Sequence, residues 1–418
     1  MSALPKPTAP AAAVDDPVFT AFTTHAHGFA PRFAQIAADA ARRDTERDLP
    51  HEDAEALKRA GFARLRLPVH QGGAGVSLAE LFAVARDLAY ADPNLAHAFR
   101  NHFYAIEDAL RRPHEPLHAR LLAEAAQGRS FGLSFGDAPP VRAGDATGIV
   151  DGRLTWDPAL EVYTGDGLKA YATGNLYADW LIGSAYESRG NRLVRYLVST
   201  RAPGVDLRDD WAGFGQRLTG SGHTRFRAAH VEAADLYALP ERPQHGGTWR
   251  FTFHQVYLTN VIAGIVRRIQ ADALALLRGR RRNFYHGQAE SPTDEPVLQA
   301  QLGRIAAHAA SVEALADRAV LAMEAAFAAW GTPQVDPLTL VATRRAIEAK
   351  IVIDALAPEL ASALIDLGSG SVVDTGAALD RHWRNIKVIS AHNPRLYKER
   401  FLGEHLLHGA LPPTGAFF

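Results

Sequence analysis

The spacing of apolar residues changes twice along this chain, and that change limits the fold more than any single motif does. Between 250 and 365 apolar residues recur at helical steps. Val297, Leu302, Ile305, Ala309, Val312, Leu315 and Val320 trace one stripe. Short polar stretches, QAESPTDEP and GTPQVDP, interrupt this region, so an antiparallel helical bundle is expected. Between 128 and 245 the runs are short and alternate or carry aromatics: RLTWD, KAYATG, DWLIGSAY and RLVRYLVS. Gly, Asp and Asn break them at close intervals, the pattern of strands joined by turns. Residues 15–127 read as helix. Pro50-His51-Glu52-Asp53 opens one helix with acids in its first turn, and Ser77 stands at capping-box spacing from Glu80 before another. The class is α+β, in the order helical domain (15–127), β domain (128–245), helical bundle (246–418). The Pro/Ala-rich segment 1–14 reads as a disordered tail.

A chain of 418 residues accommodates two or three such domains. Its net charge of −1 and its lack of a basic stripe interleaved with aromatics argue against a nucleic-acid partner. No apolar run reaches the roughly 18 residues that cross a bilayer, and the N-terminus has no apolar signal core, so a cytoplasmic, non-membrane protein is expected. There is no cysteine, which excludes disulfides, zinc–thiolate sites and thiol nucleophiles. Methionine is confined to Met1 and Met323; GC-rich coding accounts for this, and so does thrift in a cell short of sulfur. GGAG at 72–75 lacks the glycine spacing or the lysine of a phosphate loop and reads as a turn. No H-E-x-x-H occurs, and His97 and His102 are five apart, off a shared helix face, so no metal site is expected.

The stretch RHWRNIKVISAHNP, 381–394, is an amphipathic helix stopped by Pro394. It fixes an imidazole, His392, at the helix end. Two roles fit: a cation against the helix dipole, or a proton-handling group.

Three strings in order resemble the acyl-CoA dehydrogenase fold: RLPVHQGGAGVSLAEL, GLKAYATGNLYADWL and DRHWRNIKVI. The resemblance spans about residues 40 to 400. It implies an N-terminal helical domain, a central β-barrel-like domain and a C-terminal antiparallel four-helix bundle. Many such dehydrogenases carry a glutamate base after the last of these strings; here Ala391-His392-Asn393-Pro394 follows. The chain more closely resembles the flavin-dependent monooxygenases that reuse this fold, the two-component, dibenzothiophene monooxygenase-like group. That similarity rests on Trp383-Arg384-Asn385 with His392-Asn393-Pro394, on DDWAGFGQRLTGSGHTRF (209–226), and on RGRRRNF (278–284).

The resemblance implies reduced FMN, with FAD as the alternative, delivered by a separate NAD(P)H-dependent flavin reductase, and O₂ captured as a C4a-hydroperoxyflavin. It implies a homotetramer and a small hydrophobic, organosulfur substrate. It assigns catalysis to His392, Thr173 and His102, and cofactor binding to Trp211, Ser221, Arg282, Arg278 and Ser134. Leu133-Ser134 stand where close relatives carry an asparagine beside the flavin. An imidazole near its reference pKa could donate or accept the proton that oxygen transfer needs. Phe99, Phe103, Tyr104, Phe131 and Phe135 suit either a substrate pocket or a core. The alternatives are an acyl-CoA dehydrogenase or oxidase holding FAD and, more distantly, a helical scaffold that binds no flavin.

Overall fold

The computed structural model describes residues 28–135, 152–238 and 249–413; the tail read at 1–14 lies outside them. The first part is helical: α1 (Ala30–Glu46), α2 (His51–Arg59), α3 (Leu78–Ala91), α4 (Pro93–Ala98), α5 (Arg100–Arg111) and α6 (Pro116–Ala126). Local chemistry fixes the starts. Ser77 Oγ accepts from the Glu80 amide at 3.1 Å, and the Glu80 carboxylate accepts from the Ser77 amide at 2.7 Å, a complete capping box for α3. Asp92 caps α4 by accepting from the Asn94 amide at 2.9 Å. GGAG is a turn, with Gly72 at φ 80° and Gly75 at φ 63°.

Eight strands follow: β1 (Phe131–Ser134), β2 (Arg153–Asp157), β3 (Val162–Lys169), β4 (Trp180–Glu187), β5 (Arg192–Ser199), β6 (Val205–Leu207), β7 (Thr224–Glu232) and β8 (Leu236–Ala238). They form one sheet in the order β6-β7-β3-β2-β4-β5-β8, with β1 parallel to the start of β4. The sheet rolls upon itself. Tyr196 of β5 meets Phe226 of β7 edge-on at 6.4 Å although three strands lie between them, and Leu154, Leu181, Val194 and Val231 fill the roll. That is the barrel-like form expected. RLTWD and RLVRYLVS are β2 and β5, but KAYATG is not a strand. β3 stops at Lys169, and Tyr171 at φ 53° and Gly174 at φ 83° turn the chain. A Cβ on Gly174 would stand 2.2 Å from the Ala98 carbonyl, so this segment lies against α4 as a loop.

The last part contains α7 (Trp249–Gly279), α8 (Pro296–Ala328), α9 (Val335–Gly368), α10 (Asp380–Ser390) and α11 (Arg395–His408). α7, α8 and α9 are the long members of the bundle; α10, three turns long, packs on α7 and α9 as the fourth, and α11 lies on α9. On α8 the expected stripe is buried at Ile305, Ala309, Val312 and Val320, whereas Val297 faces outward and Leu302 and Leu315 lie at the margin. Ala316, Ala319 and Met323 complete the buried face. Alanines were the less visible part of the pattern, yet they let the helix backbones approach. Among the described residues no helix is long and apolar enough to cross a membrane.

α3 crosses α7 at a point with no spare room. A Cβ on Gly264 would stand 2.4 Å from the Arg86 carbonyl and 2.6 Å from Ala89 Cβ. This contact joins the N-terminal helices to the bundle and so sets where α4 and α5 lie. Gly264→Val is expected to push α3 off α7 and to cost about 1–3 kcal/mol by overpacking. Denaturant titration checks this: an unchanged midpoint would mean that the crossing tolerates a side chain.

Candidate active site

Two loops of the β domain interlock. Ala172 N donates to Gly222 O at 3.1 Å and Gly174 N to Thr219 O at 3.0 Å, which ties the loop after β3 to the 208–223 loop. Hydroxyls line the junction. Thr173 Oγ1 lies 2.9 Å from Ser221 Oγ, which lies 2.6 Å from Thr219 Oγ1, which donates to the Gln216 carbonyl at 2.9 Å. A carbonyl only accepts, so the proton order is set: Thr219 gives to Gln216, Ser221 to Thr219 and Thr173 to Ser221. Thr173 Oγ1 therefore offers lone pairs to any further partner, not a proton.

Helices clamp this junction from both sides. Gln216, at φ 52°, donates its amide to Asn385 Oδ1 of α10 at 2.6 Å, and its side-chain oxygen accepts from His97 Nδ1 of α4 at 2.8 Å. Asn101 Nδ2 of α5 donates to the Thr173 carbonyl at 2.9 Å. α10 is itself held to α7 by His382–Asp272 at 2.8 Å and to α1 by Arg384–Asp44 at 2.6 Å.

His392 sits just past the end of α10, its amide donating to Ile389 O at 3.1 Å. The turn before it is pinned by Lys350 Nζ, which donates to Ser390 O at 3.1 Å and to Asp354 at 2.6 Å. His392 Nε2 lies 3.0 Å from Arg100 Nη1. A guanidinium only donates, so Nε2 accepts and the ring proton is on Nδ1. Burial, then the positive field of Arg100, holds His392 well below its ordinary pKa. The expectation of an imidazole titrating near neutrality is thereby corrected: His392 is neutral. His97 and His254 stand in the same field. Burial followed by Arg100 pushes His97 down to about 3 and holds His254 well below the usual range.

Thr173 and Ser221 are thus brought together, and Asn101 and Arg100 link them to His392. Ser134, at the buried end of β1, joins the junction through Asn175 Nδ2 at 3.4 Å, which also reaches Thr224 Oγ1 at 3.0 Å. Trp211 lies on the outer side of the 208–223 loop, edge-on to the exposed ring of Tyr171 at 6.3 Å. His102 points elsewhere. Its Nε2 donates to Ala63 O at 2.8 Å and its ring stacks on Phe131, so a packing role accounts for it. Arg278, in the last turn of α7, and Arg282, just beyond it, are exposed at the far end of that helix. The 24 residues from His254 to Arg278 span about 36 Å of helix, too far for a small molecule at His392 to touch both within one chain.

The residues missed from sequence are Arg100, His254, Gln216, Asn385 and Asn101, with His97 weighed only as a metal ligand. One signal was available: Arg100, Tyr104 and Asp108 recur at four-residue steps along one face of α5. They lead to a hollow of about 400 Å³ lined by Tyr104, Asp108, Leu133, Phe135, Arg195 and Arg250. Tyr104 also touches His254, ring centroids 4.4 Å apart. Of the five aromatics noted in sequence, Tyr104 and Phe135 border this hollow, while Phe99, Phe103 and Phe131 lie in the core. Among the described residues no three His, Asp or Glu side chains converge as a metal site.

Residues 20–129 match the acyl-CoA dehydrogenase N-terminal domain and residues 257–394 the acyl-CoA dehydrogenase C-terminal domain. The chain belongs to the acyl-CoA dehydrogenase family. Within it, the chain is similar to a probable FMNH₂-dependent monooxygenase, SfnC, of Pseudomonas putida, 25% identical over 93% of this chain and 95% of that one. It is also similar to dibenzothiophene monooxygenase of Rhodococcus qingshengii, 25% identical over 97% and 96% of the two chains. The FMN-bound structure of TdsC from Paenibacillus sp. A11-2 superposes with a TM-score of 0.81 at 25% identity, over 94% of this chain and 98% of that one. In this member of the family the turn after α10 presents a neutral histidine bonded to a buried arginine.

The buried histidines make stability depend on pH. His97 and His102 are depressed by burial to about 3 and about 4, whereas an unfolded chain protonates them near 6.5. Below that value the unfolded state binds more protons, so stability falls as pH falls. Each of the two costs up to about 1.4 kcal/mol per pH unit between 6.5 and its folded pKa, and His254 and His392 act in the same direction. Calorimetric melting should therefore show a plateau above pH 7 and a steep decline below about pH 6.5. A melting temperature unchanged down to pH 5 would show that these rings charge without unfolding.

Proposed function

We infer that the chain is a two-component flavin-dependent monooxygenase that uses reduced FMN and O₂ to oxygenate a small organosulfur compound. One observation carries this: the turn after α10 holds a neutral imidazole where a dehydrogenase of this fold needs a carboxylate base. Among the described residues no carboxylate is bonded to Arg100, which donates to His392 Nε2. The alternative, an acyl-CoA dehydrogenase or oxidase, lacks its base here. The named relatives, an FMNH₂-dependent monooxygenase and dibenzothiophene monooxygenases, support the same reading.

The residues present fit a flavin. Asn101 Oδ1, Asn175 Oδ1 and Gln216 Nε2 are buried around the loop junction without partners, a mixed set of acceptors and a donor suited to a polar ring edge. Thr173 would accept at one edge of the ring, Trp211 with Tyr171 would cover a face, and Ser221 and Ser134 would lie in the wall. Reduced FMN, when bound, supplies two electrons and activates O₂. The chain's own part is to orient the ring, keep water out and hold a proton at His392 Nδ1 while Arg100 fixes the tautomer. His102 supports this wall from behind. FMN would arrive from a separate NAD(P)H-dependent reductase, in a cytoplasmic setting.

Arg282, with Arg278 beside it, would reach the phosphate of a flavin held mainly by another subunit of a homotetramer. Its distance from His392 within one chain supports this, as do exposed Leu321, Val352, Leu396, Leu406 and Leu407 on the bundle helices, which a partner would cover. The division into 15–127, 128–245 and 246–418 is our domain reading.

His392→Ala should leave the fold and FMN affinity within about threefold of wild type, yet release peroxide in place of product, at least tenfold more per NADH consumed. Product yield and peroxide are measured together; full coupling in the variant would reduce His392 to a helix end. Arg282→Ala should raise the FMN dissociation constant at least tenfold, about 1.4 kcal/mol, without lowering the melting temperature. A monomer by light scattering that still binds FMN tightly would overturn the shared site.

A further inference from the structure

The charge on Arg100 needs a partner. Other buried arginines have theirs: Arg43 bonds Asp53 and Asp92, Arg66 bonds Glu107, Arg86 bonds Asp317 and Arg381 faces Asp272. Arg111 has no carboxylate bonded to it, but its guanidinium lies on Trp249 and beside Phe327. Among the described residues Arg100 has neither arrangement. Its Nη1 donates to His392 Nε2, and its own Nε is buried without a partner. Burial pulls Arg100 down to about 10, so it is still a cation near pH 7. The titratable groups that share its field are neutral at that pH. His97 of α4, His254 of α7 and His392 after α10 are held below the ordinary imidazole range, and burial pushes the Tyr257 phenol of α7 up. A full positive charge is thus buried with no negative one bonded to it, which is costly unless a ligand supplies the counter-charge.

Placement says which ligand. The next residue on α5, Asn101, donates from Nδ2 to the Thr173 carbonyl at 2.9 Å, and its Oδ1 is buried without a partner at the loop junction. Arg100 therefore stands one residue from the polar atoms that suit a flavin ring edge. A charge in a protein interior acts over several ångströms and does not require contact, so its field reaches a ring seated at this junction in any orientation. Oxidised FMN has an uncharged ring. The two-electron reduced ring has an acidic N1–H and, without that proton, carries one negative charge. Of the two forms that such a site meets, the reduced one alone can answer a buried cation.

We propose that Arg100 is the counter-charge of the reduced flavin: it holds the cofactor as its N1 anion, FMNH⁻, and leaves neutral oxidised FMN loosely bound. This rests on the monooxygenase reading, in which reduced flavin arrives from another protein and oxidised flavin leaves after each turnover. The binding step balances as FMNH₂ → FMNH⁻ + H⁺, with the proton passing to water and no electron moving. The neighbouring imidazoles do not take that proton, because burial and Arg100 keep them neutral. Arg100 thereby sorts the two redox forms and drives the exchange of cofactor. The ratio of their dissociation constants and the midpoint potential of the bound flavin report one quantity: for a two-electron couple, tenfold is about 30 mV.

The test compares wild type with three variants. Arg100→Gln keeps a donor for His392 Nε2 without the charge, Arg100→Met removes both, and Arg100→Lys keeps the charge. Dissociation constants are measured near pH 7 for oxidised FMN and, without oxygen, for photoreduced FMN; the midpoint potential of the bound flavin is measured separately. Wild type should bind reduced FMN at least about tenfold tighter than oxidised FMN, and its bound flavin should sit about 30 mV or more above free FMN. Arg100→Gln and Arg100→Met should lose most of this ratio by weakening the reduced form alone, and Arg100→Lys should keep most of it. The melting temperature of Arg100→Met should equal or exceed that of wild type, because an unpaired buried charge is gone. An unchanged ratio in Arg100→Gln and Arg100→Met overturns the proposal, as does an equal weakening of both redox forms. A ratio lost in Arg100→Met but kept in Arg100→Gln also overturns it, since the hydrogen bond and not the charge would then act. In each of these cases oxygenation of methyl phenyl sulfide by wild type, with a flavin reductase and NADH, leaves the monooxygenase reading standing. A wild type that sorts the two forms through Arg100 yet turns reduced FMN and O₂ into peroxide with organosulfur compounds untouched overturns the monooxygenase reading and keeps the counter-charge. A wild type that binds neither form overturns both.

Discussion

The site depends on one clamped residue. Gln216 joins three parts of the chain: its amide to Asn385 on α10, its carbonyl to the Thr219 hydroxyl, its side chain to His97 on α4. The neighbouring Gly215 lies so close to α10 that a Cβ would stand 2.1 Å from the Arg384 carbonyl. A side chain there would lift the loop, and with it Ser221 and Thr173, from the helices that carry His392 and Arg100. The precision of the site comes from burying a loop between rigid elements and satisfying its polar groups there.

Burial on this scale also sets the electrostatics. An imidazole removed from water and faced with a guanidinium is held well below its ordinary pKa and is neutral near pH 7. On the proposed reading, what distinguishes this centre from a dehydrogenase of the same fold is the kind of group held there, acceptor lone pairs on Thr173 and a fixed N–H on His392, rather than a titrating base. The same reasoning makes Arg100 the feature that most needs a ligand.

Much was fixed by local sequence. Ser77 and Glu80 announced the start of α3, the alternation in RLTWD and RLVRYLVS announced β2 and β5, and the long apolar stripe announced the bundle, because capping and side-chain period are short-range properties. The strings around Thr173, Ser221 and His392 were legible by resemblance. What the sequence could not state was which polar groups face one another. Arg100 and His392 are 292 positions apart, and Gln216 and Asn385 169 apart. KAYATG alternates like a strand but is bent into a loop by its contact with α4. His102, two residues from Arg100, turns to the opposite packing surface through helical geometry alone. Periodicity, caps and class were written locally; the protonation state of His392 and the unpaired charge of Arg100 arose only when distant segments were buried together, because both are properties of an environment rather than of a residue.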